Sequence, residues 1–331
     1  MRMLMMPFVE LDGGSITQQG MVYQEPNTAW RIVHNGDFDG DGRDDLLWRN
    51  SQTGQIYAMP MSGLNIAGGA IIYQEANSAW QVVAVGDLNG DGRDDLVWWN
   101  SSTGHVYGML MNGYRRIQEG MLYQEANTAW RILAAQDFTG DGLADLLWRN
   151  VSTGQVYLMP MSGLSIAGGA MLYQESNLAW NIAAVGDLNG DHMADLVWWN
   201  NQTGQVYGML MNGMVIGSQG LMYQEANTAW RIIASGDYTG DGKSDLLWRN
   251  GQTGQMYEMP IDGLSVVGGT ILYQEANPDW QVVANVNARK LPMPSRSLVS
   301  AERFAPLEGE PLNPVMPLEG EPVNAHRSLS E

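Results

Sequence analysis

Asp37, Asp39, Asp41 and Asp45 fall at positions 1, 3, 5 and 9 of the segment DFDGDGRDD. That spacing lets a short turn offer carboxylate oxygens to one hard divalent cation, and calcium takes about six to eight of them. A backbone carbonyl at position 7, here Arg43, completes such a set, and the glycines permit the tight turning. Four further segments keep the pattern. They are Asp87, Asn89, Asp91, Arg93 and Asp95; Asp137, Thr139, Asp141, Leu143 and Asp145; Asp187, Asn189, Asp191, Met193 and Asp195; and Asp237, Thr239, Asp241, Lys243 and Asp245. One DGDG is ordinary turn chemistry. Five copies, each with Asp at positions 1, 5 and 9, point to up to five structural Ca2+ ions. The loops are unequal, because the first has four carboxylates and the fourth has His192 where the others have Gly at position 6. None is an EF-hand: position 12 is Trp48, Trp98, Trp148, Trp198 or Trp248 rather than Glu.

The elements that hold these loops repeat with them. Trp30, Trp80, Trp130, Trp180, Trp230 and Trp280 are fifty residues apart without an insertion. Tyr23 and its five successors keep the same step, each followed by Gln-Glu. In one unit, QVVAVGDL (81–88), DLVWWN (95–100), HVYGMLM (105–111) and GMLYQE (120–125) are rich in Val, Ile, Tyr and Trp and are punctuated by Gly, Asn, Asp and Ser. They read as four strands, A to D, with the metal loop between A and B. Four strands per unit at constant spacing predict an all-β fold, a β-propeller of four-stranded blades. Units with WRN and MPM alternate with units carrying WWN and MLM, and the Met-rich strands read as core.

The units resemble FG-GAP/VCBS repeats, the calcium-binding blades of integrin α-chains and of many bacterial surface proteins and lectins. The resemblance rests on DxDGDGxxDLLW at 37–48 and its copies and covers about 13–286. It implies that the metal role falls on the loop residues named above. Strands A and D occur six times and B and C five times. Five complete blades are therefore expected, either in a closed ring with spare strands or in an arc of something larger. Residues 1–12 form a separate N-terminal segment. Residues 287–331, rich in Pro and Glu with PLEGEP twice, read as a disordered tail, and their abrupt departure from the repeat fits a truncated or frameshifted gene.

Strand parity puts the metal loops on one face with the C–D turns, and NSxTG with QEANTAW on the other. By analogy with integrin-like propellers, that other face is the expected surface for a protein or glycan partner. Trp30, Asn50, Trp99, Asn100, Trp199 and Asn200 are its candidate ligand-binding residues, since amides beside Trp suit sugars. Trp48 and Trp98 read instead as core.

A net charge of −19 excludes nucleic acid as a partner, and five divalent ions would bring it to −9. There is no Cys, no GxSxG and no HExxH, and His34, His105, His192 and His326 occupy unrelated repeat positions. A catalytic role is not expected. No apolar run is long enough for a membrane span. These features fit a non-catalytic adhesion or protein-recognition scaffold outside a bacterial cell or on its surface, although no signal peptide is visible. A multivalent lectin and an accessory domain of a polysaccharide-active enzyme are the alternatives.

Overall fold

The structure is a computed structural model that describes residues 4–12, 15–274, 280–282 and 297–303. All regular elements among them are strands, and five antiparallel four-stranded sheets are the blades of a propeller. The first blade is Trp30–Gly36, Asp45–Asn50, Gln55–Met59 and Ala70–Gln74. The second is Trp80–Gly86, Asp95–Asn100, His105–Asn112 and Arg115–Gln124. The third is Trp130–Gln136, Asp145–Asn150, Gln155–Met159 and Ala170–Gln174. The fourth is Trp180–Gly186, Asp195–Asn200, Gln205–Asn212 and Val215–Gln224, and the fifth is Trp230–Gly236, Asp245–Asn250, Gln255–Met259 and Thr270–Gln274. Strand A of each blade lies innermost, against strand A of the next.

The alternation of MPM and MLM has a direct structural consequence. Proline has no N–H to give to a ladder. Strand C of the first, third and fifth blades therefore stops before Pro60, Pro160 or Pro260, and a separate two-residue ladder follows, such as Met61–Ser62 with Asn65–Ile66. Leu110 and Leu210 let strand C run on in the second and fourth blades.

The core lies between blades. Phe38, Leu47, Ile56 and Ala58 of the first blade pack on Trp80, Val82, Leu96 and Trp98 of the second, and the later interfaces repeat this arrangement. At each seam the strand-D tyrosine meets the next blade's strand-B tryptophan edge to face, as Tyr73 meets Trp98 at 5.5 Å. The alternation of WRN and WWN also belongs to these seams. Arg49 and Arg149 lie over Trp98 and Trp198 of the next blade, whereas Trp99 lies under Arg131 of the third blade.

The spare strands find each other. Leu4–Asp12, Ser15–Glu25, Trp280–Val282 and Ser297–Arg303 form a further four-stranded sheet in which both ends of the described chain meet. Its register continues the fifty-residue period: Met6 pairs with Tyr23 as Ile56 pairs with Tyr73, and the same irregularity follows. Tyr23 then packs on Trp48 at 5.9 Å, as at every other seam. Leu4–Asp12, inside the segment 1–12 set apart in the sequence, thus takes the place of a strand C. Ser297–Arg303 is a strand inside the stretch expected to be a tail, and both PLEGEP copies lie outside the described residues.

The fifth blade departs from its siblings on the face by which they pack against the following blade. Glu258 stands where the others have Ala58, Gly108, Leu158 and Gly208, and Tyr238 where they have Phe38, Leu88, Phe138 and Leu188. Both side chains are buried, and among the described residues neither the Glu258 carboxylate nor the Tyr238 hydroxyl has a hydrogen-bond partner. Burial pushes the Glu258 carboxyl up from its ordinary 4.5 to about 7, helped by nearby Asp245. The folded state therefore holds this proton more tightly than the unfolded chain, so stability is lost as pH rises through about 7. Glu258→Leu, which copies Leu158, should raise stability at pH 8 by about 1–3 kcal/mol and leave less difference at pH 5. Thermal melts of both proteins at the two pH values check this.

Candidate metal centre

Each metal loop is built first by its own carboxylates. Asp37 Oδ1 accepts from the N–H of Gly40 at 2.6 Å and of Asp41 at 3.2 Å, and Oδ2 from Gly42 at 2.8 Å. The Gly40 and Gly42 backbones sit at φ 80° and 83°, where a Cβ is strained. Asp41 Oδ1 in turn accepts from Arg43 N–H at 2.9 Å. The same position-1 and position-5 bonds recur in the other four loops, with Asp87, Asp137, Asp187 and Asp237 taking the place of Asp37.

In the first loop this folding brings oxygens of Asp37, Asp39 and Asp41 within 4.8 Å of one another. Three like charges at that separation repel; Arg43 touches Asp41 at 3.3 Å but is exposed, and the Arg93 side chain of the next blade lies over Gly40 of the same loop. In the third loop the Thr139 hydroxyl, at the corresponding position 3, is shielded from solvent and has no hydrogen-bond partner among the described residues. Convergent carboxylates, an orphaned hydroxyl and a turn carrying the carbonyls of Arg43, Arg93, Leu143, Met193 and Lys243 form an all-oxygen donor set. Such a set fits calcium better than a soft metal.

The position-9 aspartates lie beneath the loop, close to its carboxylates. Asp45, Asp95, Asp145, Asp195 and Asp245 are all 0% exposed. Asp45 Oδ2 accepts from Phe38 N–H at 3.3 Å and Oδ1 from Met61 N–H at 2.9 Å, and Asp95 joins Leu88 to Met111 in the same way. They therefore tie the metal loop to strand C beneath it. Burial raises these five carboxyls to between about 6 and about 8, against the pull of the amides.

The loops are also linked around the ring. Asp94, Ala144, Ala194 and Ser244, at position 8, donate their N–H to the carbonyls of Asp37, Asp87, Asp137 and Asp187 of the preceding blade, at 2.6–2.7 Å. The contact of Asp45 with Met61 confirms that metal loops and C–D turns share a face, while Ser51 N–H to Ala29 O and Glu75 N–H to Gly54 O join the B–C and D–A turns on the other.

On that other face the sequence-derived ligand residues have structural work. Asn50, Asn100 and Asn200 are buried, and each Oδ1 accepts two N–H groups of its own turn, those of Gln52 and Thr53 for Asn50. Trp99 is 4% exposed under Arg131. Trp199 packs in the seam between the fourth and fifth blades, and Trp30 meets Tyr57 within its own blade. These residues hold turns and seams, and the side-chain oxygens of the three asparagines are already taken up by their own turns. At the tips of the B–C turns the face exposes Ser51, Gln52, Ser102, Ser152, Asn201 and Gln252, with Val151 and Gly251 among them. The signal for them was the variability of the two residues between Asn50 and Thr53 and in the equivalent turns.

Comparison with known proteins agrees with this geometry. The FG-GAP-like repeat matches at 37–98, 87–148, 137–198 and 187–248, each match running from one metal loop through the next blade's strand B. No curated protein matches the chain. Among solved structures, the chain is similar to an Agrocybe aegerita lectin whose structure describes recognition of non-reducing terminal N-acetylglucosamine, at 15% identity and TM-score 0.54, covering 82% of this chain and 77% of that one. It is similar to a chain of a nidogen/laminin complex at 15% identity and TM-score 0.50, covering 80% and 92%. It also resembles a chain of the Photorhabdus luminescens Tc holotoxin pore at 16% identity and TM-score 0.51, covering 88% of this chain and 14% of that one. At these identities the likeness is one of fold.

His192 is the one non-glycine residue with positive φ among the described residues, at 79°. It occupies the left-handed position that glycine fills in the other loops, and its N–H still reaches Asp187 at 2.9 Å. His192→Gly should stabilise the metal-free protein by about 1 kcal/mol, the relief of strain exceeding the added chain entropy. Denaturant unfolding in a chelator measures it.

Proposed function

The chain belongs to the FG-GAP-like repeat family, and from that premise we propose that it is a calcium-stabilised, non-catalytic recognition scaffold working outside a bacterial cell or on its surface. The observation that carries this reading is the convergence of Asp37, Asp39 and Asp41 in a loop whose fold repeats in every complete blade. Cations there would relieve the repulsion and, through the position-8 hydrogen bonds, tighten one blade against the next.

The residues that would hold the ions are the acids, amides and hydroxyls at positions 1, 3 and 5, with the carbonyls at position 7. Position 9 would hold the loop in place from below. A bound cation supplies charge neutralisation and cross-linking of oxygens, and no reaction is assigned to it.

The partner surface on this reading is the opposite face. Its hydroxyls and amides, repeated around the ring beside the partly exposed carboxylates of Glu25, Glu125, Glu175 and Glu225, suit many weak contacts reinforced by multivalency. A protein partner is the first reading. A glycan is the second, favoured by those repeated hydroxyls and amides and by the likeness in fold to a sugar-recognising lectin.

At about 1 mM calcium and a dissociation constant of about 0.1 mM, each site adds roughly 1.4 kcal/mol, or about 7 kcal/mol for five. Chelation with EDTA should therefore lower the melting temperature by more than about ten degrees. An unchanged melt removes calcium from the account. A glycan array and a protein-binding screen, each run with and without calcium, then separate the two kinds of partner.

A further inference from the structure

Tyr114 belongs to the C–D turn of the second blade, yet its hydroxyl lies in the first metal loop. The Oη is 3.1 Å from Asp39 Oδ2 and 3.3 Å from Asp45 Oδ2. One phenolic proton thus serves two carboxylates, one at ligand position 3 and one in the buried tie beneath the loop.

The residue type at this place is peculiar to one seam. The other blades carry Leu64, Leu164, Met214 and Leu264. Leu164 and Leu264 fill the space over Gly108 and Gly208 of the preceding blade, which is packing and nothing more polar. Position 3 of the metal loop varies in step. It is Asp only in the first loop, and Asn89, Thr139, Asn189 and Thr239 in the others. The single loop with the extra carboxylate is the single loop that receives a hydroxyl from its neighbour.

Both oxygens of Asp39 are held, Oδ1 by Asp41 N–H at 3.2 Å and Oδ2 by Tyr114. Without the second bond, the side chain is free to swing toward solvent, away from Asp37 and Asp41. Hydrogen bonds to a ligating carboxylate fix its orientation, and their loss typically weakens metal binding about 10–100-fold.

We infer that Tyr114 is a positioning residue for a cation in the first loop, holding Asp39 beside Asp37 and Asp41 so that this loop is the tightest of the five and its filling is coupled to the seam between the first and second blades. The inference rests on the calcium reading of the loops.

The test is calcium uptake by the full chain, followed by competition with a chromophoric chelator, for the wild type, Tyr114→Phe, Asp39→Asn and the double variant. Tyr114→Phe should weaken the tightest class of site about tenfold or more and leave the weaker classes unchanged. In the Asp39→Asn background the same substitution should have no further effect on uptake, because the carboxylate it positions is gone. Melts in EDTA report any loss of packing separately, and Tyr114→Leu, which copies the third and fifth blades, guards against a poorly folded variant. An unchanged tightest class, or additive effects of the two substitutions, overturns the inference while leaving the calcium reading intact. No uptake by the wild type removes both.

Discussion

A buried carboxylate at position 9 is the interaction on which the rest of each blade depends. Asp45 and its four counterparts are sealed from solvent, and such a group survives only if donors surround it. The donors are backbone N–H groups from two different parts of the blade, the start of the metal loop and the residue two beyond the position-59 methionine or its equivalent, at the far end of strand C or just past it. One side chain thus fixes the metal loop, the strand break at Pro60 and the position of the C–D turn together. The C–D turn in turn reaches the neighbouring blade's loop, so the local tie becomes part of the seam.

The seams explain why alternate units resemble one another most. An arginine on strand B of one blade covers a tryptophan on the next, and the next seam reverses the roles, with tryptophan on strand B and arginine on the following strand A. The two residue patterns are halves of two complementary surfaces, so neither unit can be changed alone. On the corresponding face of the fifth blade the pattern fails, and Glu258 and Tyr238, without partners among the described residues, appear in place of aliphatic, glycine and phenylalanine residues.

Most of the blade was legible from sequence, because its strands, loops and turns are local and repeat at one spacing. The second blade's strands read as 81–88, 95–100, 105–111 and 120–125 are found at 80–86, 95–100, 105–112 and 115–124. The closing sheet was not legible, since Ser297–Arg303 joins the Leu4–Asp12 hairpin from nearly three hundred residues away. Asn50 was misjudged for a different reason. An amide that caps its own turn and an amide that awaits a sugar are the same residue type, and only burial and partners separate them. Tyr114 escaped notice because its importance lies in a contact between units, whereas repeats are compared position by position within them.

The central claim is that the five Asp-rich loops are cation sites that hold the blades to one another. A crystal structure of the protein grown in calcium, with anomalous difference density measured, tests it most directly. The account predicts a peak in each loop, beside Asp37, Asp87, Asp137, Asp187 and Asp237, coordinated by oxygens of positions 1, 3, 5 and 7. Loops occupied only by water, with the position-1 carboxylates bound solely to the amides of their own turn, would contradict it.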